Sequence, residues 1–325
     1  MLDLERLKRI ELSPRPRGQI LIANLGLVFD YRFPRKTEIV LEGKERLPKG
    51  GAFLAMNHTD RYNYWPLQYG MYREGLAFTA TWVKGKYYEN RFLGRFMDST
   101  NNIPTPSRGY VITTEFRKFA GRPPNDDEYR VLRDLIDGKR APGEPLPDDA
   151  SDAVRGFLGG EPGAFLERFD ALFSEMLREV IELNRRAIEE LHLSVLVFPQ
   201  GTRSKRLSRG HTGLAQMAQY LGAPIIPIGC NGSDRLYPGN SPFSKGGRVV
   251  YRVGEPLAVD GPELAPYRVP RDVLPLTDEA SAKYGRSYQA ITDIVMDRIN
   301  ALLDPEYQYA ASGEPDGERG VARFV

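Results

Sequence analysis

Two short segments hold the residue types best suited to chemistry, and the first centres on a histidine. Asn57 and His58 follow an apolar stretch, with Asp60 and Asn63 shortly after the histidine. An unperturbed imidazole has a pKa of about 6.5, so near neutral pH it is mostly uncharged and can accept a proton. His58 is therefore the candidate for acid-base chemistry, and a strand-end histidine satisfied by backbone groups is the alternative.

The second segment is Phe198–Ser204, in which Gly201, Thr202 and Arg203 follow an apolar run closed by Pro199. A guanidinium offers a fork of donors, and the backbone amides of a glycine-containing loop can point at an anion. The loop therefore predicts a binding site for phosphate or another charged head group. Its basic run up to Arg209 is equally typical of a solvated surface loop.

Strands and helices that could position these segments are visible in the pattern of apolar residues. Four short runs rich in β-branched or aliphatic residues predict strands, at Thr37–Leu41, Ala52–Met56, Leu193–Phe198 and Pro224–Ile228. Apolar residues at helical spacing predict a long helix over Ala164–His192, directly before the third of these strands. This alternation of strands and helices indicates an α/β fold.

The domain organisation predicted from composition is a single domain over residues 1–325. Between about Gly121 and Gly163 the chain is rich in Pro, Gly, Asp and Glu, which predicts a partly irregular insertion. With the long helix, this insertion covers residues 118–192. Residues 310–325 contain few apolar groups and are predicted to form a mobile tail.

Composition bears on the cellular compartment of the protein and on the kinds of partner that it can bind. The formal charge of +2 over 325 residues gives no global attraction to nucleic acid, and the single Cys230 cannot form an internal disulfide. The apolar stretch Gln19–Tyr31 is too short for a spanning helix, which needs about 20 residues. No secretory signal is evident, so the expected compartment is the cytoplasm.

Two segments suggest contact with a membrane surface, each with a plainer alternative. Leucine and isoleucine residues in Met1–Leu12 alternate with charged ones, which fits an amphipathic surface helix, although a core-packing helix is favoured. The segment Arg61–Phe96 is rich in aromatic and basic residues, which is typical of a membrane-facing or acyl-chain-lining surface. An ordinary aromatic core explains the second segment equally well.

Four ordered motifs resemble those of the glycerolipid acyltransferase family typified by 1-acylglycerol-3-phosphate acyltransferase. The first is histidine, four residues, aspartate, matched by His58 with Asn63 in the last position. The third is Phe-Pro-Glu-Gly-Thr-Arg-Ser, matched over Phe198–Ser204 with Gln200 replacing glutamate. Gly222–Ile228 resembles the apolar fourth motif with its paired prolines, and Ile103–Arg108 is a weaker match to the second.

The resemblance implies the fold and the roles of individual residues. It implies a mixed central sheet flanked by helices, with the insertion lying between the second and third motifs. It makes His58 the base that deprotonates an acceptor hydroxyl, and Asn63 the residue that orients the imidazole of His58. Asp60 could supply negative charge to the imidazolium, although an acid at that position more often caps the following helix. The implied acceptor-binding residues are Lys84, Lys86, Arg108, Gln200, Gly201, Thr202 and Arg203.

The implied function is transfer of a fatty acyl group from acyl-CoA or acyl-carrier protein to the hydroxyl of a lysophospholipid or related glycerolipid. The enzyme would work in the cytoplasm, peripheral to the inner face of the membrane, without a metal or redox cofactor. Because two family acids are replaced by amides, the alternative is a catalytically weakened relative that binds lipid or acyl donor. A single-strand RNA binder is a third hypothesis, which would require steeply salt-dependent RNA binding.

Overall fold

A seven-stranded sheet forms the centre of the fold in the computed structural model, which describes residues 1–141 and 143–309, without the side chain of Arg91. The strands are β1 (Thr37–Glu42), β2 (Phe53–Met56), β3 (Thr79–Lys84), β4 (Asn102–Thr105), β5 (Ser194–Val197), β6 (Ile225–Asn231) and β7 (Gly247–Val253). Their order across the sheet is β1-β7-β6-β2-β5-β3-β4.

The sheet is mixed, as the resemblance implied. β2 pairs in parallel with both β5 and β6, β3 pairs in parallel with β5, and β1 pairs in parallel with β7. Only the pairing of β6 with β7 is antiparallel among the registers described. Every residue of β2, β5 and β6 is buried, which is why these strands are continuous apolar runs without alternation. The α/β fold class is confirmed.

Helices account for most of the remaining chain. They are α1 (Leu4–Lys8), α2 (Arg17–Leu21), α3 (Val28–Asp30), α4 (Tyr64–Arg73), α5 (Arg91–Ser99), α6 (Arg108–Ala120), α7 (Asp126–Ile136), α8 (Asp152–Leu158), α9 (Pro162–Arg185), α10 (Gly213–Leu221), α11 (Ser233–Leu236) and α12 (Asp278–Ala301). A π-helical segment, Ile22–Leu27, joins α2 to α3, and another, Arg186–Glu190, continues α9. The long helix predicted before β5 is therefore present.

The region predicted to be partly irregular contains two helices, α7 and α8. Local capping explains both. Asn125 and Glu128 form a reciprocal capping box at the start of α7, and the Ser151 hydroxyl caps α8. Proline- and acid-rich composition concealed these helices, because caps and first turns use the same residue types as loops.

The chain divides into two compact units, which are described separately. The first unit comprises Met1–Glu11, Val83–Met97 and Pro104–Glu182. The second comprises Leu12–Trp82, Asp98–Ile103 and the chain from Leu183 onward. The prediction of one domain with an insertion stays a prediction, and the predicted tail, residues 310–325, lies outside the described residues.

The core of the second unit lies on β2, β6 and β7. Leu54, Ile226 and Tyr251 are fully or almost fully buried there. Tyr62, Tyr64, Trp65 and Tyr69 pack against this core, so the aromatic-core interpretation holds for the first part of Arg61–Phe96. In the first unit, Phe92 on α5 is exposed.

The first residues of the chain pack into the interior. Leu2, Leu7 and Ile10 are buried around the short helix α1. The core-packing interpretation of this segment is therefore correct. Among the described residues, no helix is both long enough and apolar enough to cross a membrane.

Candidate functional site

The two candidate segments meet because the strands before them are parallel neighbours. β2 and β5 pair in register, with Ala55 opposite Val197, so both strands end at the same edge of the sheet. This edge is where open α/β sheets bind ligands. His58 and Gln200 follow the two strand ends and come into direct contact: the backbone N–H of His58 donates to Oε1 of Gln200 at 2.9 Å.

The end of β2 is fixed to β6 by Asn57. Its Oδ1 accepts from the backbone N–H of Cys230 at 2.7 Å, and its Nδ2 donates to the Cys230 carbonyl at 3.0 Å. Both bonds are buried, and they fix the point at which the chain leaves the sheet. No role for Asn57 was predicted, although its position beside His58 was the available signal.

The ring of His58 is held on one face and at one nitrogen. It stacks on the Phe198 ring, with centroids 4.0 Å apart and planes 18° apart. Its Nδ1 lies 3.2 Å from Oδ1 of Asn63. The predicted pairing of His58 with Asn63 is thus present in the structure, and Phe198 adds a support that the sequence did not indicate.

The orientation of the Asn63 amide determines the tautomer of His58. The Nδ2 of Asn63 donates to the carbonyl oxygen of Asn57 at 2.8 Å, and a carbonyl can only accept. Oδ1 therefore faces the imidazole, and Nδ1 must carry the proton that it accepts. The lone pair of the neutral ring is then on Nε2, as a general base requires.

Asn63 is itself positioned from both sides. It is fully buried, and its own carbonyl accepts from the Tyr251 hydroxyl on β7 at 2.6 Å. It is also the N-cap residue of α4, where its side chain makes no cap bond. The side chain that would ordinarily cap the helix is engaged with His58 and Asn57 instead.

Asp60 binds the turn between His58 and α4. Its Oδ1 accepts from the backbone N–H of Tyr62 at 2.8 Å, and its Oδ2 accepts from the Thr59 hydroxyl at 2.9 Å. The expectation that Asp60 caps α4 is wrong in detail, because Asn63 occupies the cap and Asp60 closes the preceding turn. Burial raises the pKa of the Asp60 carboxyl above its usual range.

This raised pKa gives Asp60 a defined effect on stability. The folded state holds the proton more tightly than the unfolded state, so folding is favoured below the ordinary carboxyl pKa and loses that contribution as pH rises through the raised value. We expect Asp60→Asn to increase the melting temperature at neutral pH, with the gain vanishing in acid, and to leave kcat nearly unchanged. Thermal unfolding across pH and steady-state kinetics check this. A fall in kcat of more than about tenfold would place Asp60 in the mechanism.

Gln200 connects His58 to the loop after β5. It is almost completely buried, and its Nε2 donates to the Ser208 hydroxyl at 3.2 Å and to the Arg206 carbonyl at 3.4 Å. A glutamate could accept from His58 but could not donate to the Arg206 carbonyl. The amide is therefore suited to closing this loop, and its predicted part in acceptor binding stays a prediction.

The same loop folds tightly around Gly201. The backbone N–H of His211 donates to the Pro199 carbonyl, and that of Ser204 donates to the carbonyl of His58, both at 2.8 Å. Gly201 has φ of +67°, and a Cβ there would lie 2.8 Å from Cδ2 of His211. The positive φ favours glycine, and a side chain there would also require His211 to move. Thr202 is exposed and Arg203 half-buried on this loop.

The remaining predicted binding residues belong to the first unit. Lys84 ends β3 and is exposed, and Lys86 lies in the 3₁₀ turn Gly85–Tyr88. Arg108 starts α6, and its Nη2 donates to the Ile136 carbonyl and to Oδ1 of Asp170, both at 2.7 Å. These bonds assign Arg108 a structural role within its unit, and its binding of an acceptor stays a prediction.

Comparison with known proteins bears on the segment that contains the third and fourth motifs. Residues 163–231 match the family model described as Acyltransferase. The segment that contains the third and fourth motifs is therefore similar to acyltransferases. The matched segment includes Gln200 and the loop after β5, whereas His58 lies outside it.

No curated protein matches this sequence. Among solved structures, the crystal structure of the 1-acyl-sn-glycerophosphate (LPA) acyltransferase PlsC from Thermotoga maritima is similar to this chain, with 17% sequence identity and a TM-score of 0.40. The aligned region covers 82% of this chain and 73% of the PlsC chain.

Proposed function

We propose that this protein is an acyltransferase that moves a fatty acyl group from acyl-CoA or acyl-carrier protein to the hydroxyl of a lysophospholipid or a related glycerolipid. The observation that carries the proposal is the pairing of His58 with Asn63, because it places the proton on Nδ1 and the lone pair on Nε2. An acceptor hydroxyl is a poor nucleophile until a base removes its proton.

The proposed reaction proceeds through a tetrahedral intermediate. Nε2 of His58 takes the hydroxyl proton while the acceptor oxygen attacks the thioester carbonyl. The intermediate then expels the thiolate, which receives the proton from the imidazolium. Proton, acyl group and thiol therefore balance without another reactant.

The acceptor's charged head group is assigned to the loop after β5. Arg203, Thr202 and the backbone at Gly201 supply the donors, as in other anion-binding loops. Acceptor binding by Lys84, Lys86 and Arg108 stays a prediction from the sequence. We place the enzyme in the cytoplasm, peripheral to the inner face of the membrane, where such lipids are accessible.

The amides at positions 63 and 200 support an active enzyme over a weakened lipid-binding relative. Each amide nitrogen donates to a backbone carbonyl, Asn63 to Asn57 and Gln200 to Arg206. A carboxylate in either place would face an acceptor with no proton to share. The amides are thus integrated into the local hydrogen bonding.

The function can be tested by mass spectrometry. The purified protein is incubated with a panel of lysolipids and a mixed acyl-CoA pool, and products heavier by one acyl group are sought. We expect at least one lysolipid to be acylated. Lipid binding without any acylated product would support the weakened relative instead.

Arg203→Ala is expected to raise the Michaelis constant of the acceptor by about tenfold or more, with a much smaller change for the thioester. The reason is that its guanidinium is assigned to the acceptor head group. Steady-state kinetics with each substrate varied in turn provide the measurement. Arg209→Ala is the matched control, since Arg209 is exposed in the same basic run. An effect confined to the thioester would reassign the loop to the donor.

A further inference from the structure

An exposed apolar stripe runs along the helical segment formed by α2, the π-helical residues Ile22–Leu27 and α3. Four large side chains spaced four residues apart are more than half exposed: Leu21 by 58%, Leu25 by 62%, Phe29 by 66% and Phe33 by 77%. Leu21, Leu25 and Phe29 lie on this helical segment. Phe33 follows it, with its backbone N–H donating to the Phe29 carbonyl at 2.8 Å.

The opposite face of this segment is anchored in the second unit. Ala23, Leu27 and Tyr31 are buried, and the latter two belong to the core on β2, β6 and β7. Nε2 of Gln19 donates to the carbonyls of Thr79 and Thr100, at 2.7 and 2.8 Å. The exposed side chains are therefore presented by a fixed element.

A fifth exposed aromatic residue, Phe243, lies beside the end of the stripe. The next residue, Ser244, donates its backbone N–H to both carboxylate oxygens of Asp30 on α3, at 3.0 and 3.1 Å. Phe243 itself is 71% exposed. We call the surface formed by Leu21, Leu25, Phe29, Phe33 and Phe243 the docking face.

Exposed basic residues lie close in sequence to the docking face. Within residues 15–36 the only acid is Asp30, whereas five exposed residues are basic, namely Arg15, Arg17, Arg32, Arg35 and Lys36. In the part of the chain that the structure describes, none of these five makes an ion pair. The whole chain is nearly neutral at +2, so this positive charge is a local feature.

We propose that the docking face inserts into the surface of a bilayer containing anionic phospholipid. Exposed leucine and phenylalanine side chains suit the acyl-chain boundary, and the basic residues suit anionic head groups. A second copy of this chain is a poorer occupant, because a two-fold interface would bring the same five cations against one another.

The docking face is connected to the candidate site through aromatic side chains. Tyr31 packs against Tyr69 of α4 with ring centroids 5.1 Å apart and accepts a hydrogen bond from the Tyr237 hydroxyl at 2.8 Å. Tyr62, which lies between Asp60 and Asn63, donates to the Asn240 carbonyl at 3.0 Å. Docking would therefore hold the elements around His58 at the lipid surface. This consequence rests on the proposed function.

The test is binding to vesicles of phosphatidylcholine containing phosphatidylglycerol, with phosphatidylcholine vesicles for comparison. We expect the full chain to bind the anionic vesicles, less strongly as salt increases. Leu25→Gln combined with Phe29→Gln should weaken binding by at least about tenfold with an unchanged melting temperature, because both side chains are exposed. Arg32→Glu with Arg35→Glu should weaken binding similarly, whereas Lys283→Glu with Arg286→Glu, exposed on α12, should not.

Two results would contradict the proposal that the docking face binds a membrane. One is equal vesicle binding by the wild type and the Leu25, Phe29 double variant. Another is a wild-type dimer that binds no vesicles and that the same double variant converts to a monomer. Vesicle binding needs no turnover, so vesicle binding by a protein that acylates no lysolipid would uphold the docking face and contradict only the proposed function.

Discussion

Replacing His58 with alanine is expected to lower kcat for acyl transfer by about 10²–10⁴-fold, since this is the usual contribution of a positioned general base. The loss should appear in the chemical step, with vesicle binding and the melting temperature close to those of the wild type. His58 is only half-buried, so its removal leaves a small void beside Phe198. Steady-state and single-turnover kinetics separate the chemical step from binding.

A second histidine provides the control for this variant. His192 is exposed and has φ of +50°, a conformation that asparagine tolerates well. His192→Asn should therefore retain wild-type turnover. Retention of more than about a tenth of wild-type kcat by His58→Ala would remove His58 from the mechanism.

Replacing Asn63 with leucine is expected to lower kcat by about 10² or more, because it removes the acceptor that holds the proton on Nδ1 of His58. In a Ser-His-Asp triad, a change that favours the wrong tautomer lowers turnover by about 10⁴. Leucine has the same branching at Cγ but is larger, so the melting temperature is measured beside kcat to separate packing strain from the loss of the hydrogen bonds to His58 and Asn57. Turnover near the wild-type value would show that another group orients the imidazole.

Asn63→Asp is the informative companion to the leucine variant. A carboxylate keeps the acceptor for Nδ1 and stabilises the imidazolium, so the acid limb of the pH-rate profile should move to higher pH. The same carboxylate loses the donation to the Asn57 carbonyl, and the melting temperature should fall. A gain in turnover without loss of stability would favour the interpretation of Asn63 as a lost acid.

The strands that position the site could be predicted from the sequence because they are buried on both faces. β2, β5 and β6 are short apolar runs, and each was predicted to within a few residues. β7 was missed because its burial is uneven and its sequence includes Arg248 and Arg252. β3 and β4 were missed because polar residues interrupt them.

The pairing of His58 with Asn63 could be predicted because both residues lie in one short motif. The contacts of Gln200 with His58 and of Tyr251 with Asn63 could not, since they join residues far apart in the chain. The docking face was concealed for a different reason. Its segment is apolar on both faces, and sequence alone does not tell which face packs against the core.

The proposed reaction transfers an acyl group from a thioester to a lipid hydroxyl with His58 as the base. The most direct measurement quantifies free thiol and acylated lipid together, for wild type and His58→Ala, with a lysolipid acceptor present or absent. We expect equal amounts of thiol and acylated lipid, formed only with the acceptor and nearly abolished in the variant. Thiol released without acylated lipid, or the same yield from His58→Ala, would contradict the proposed reaction.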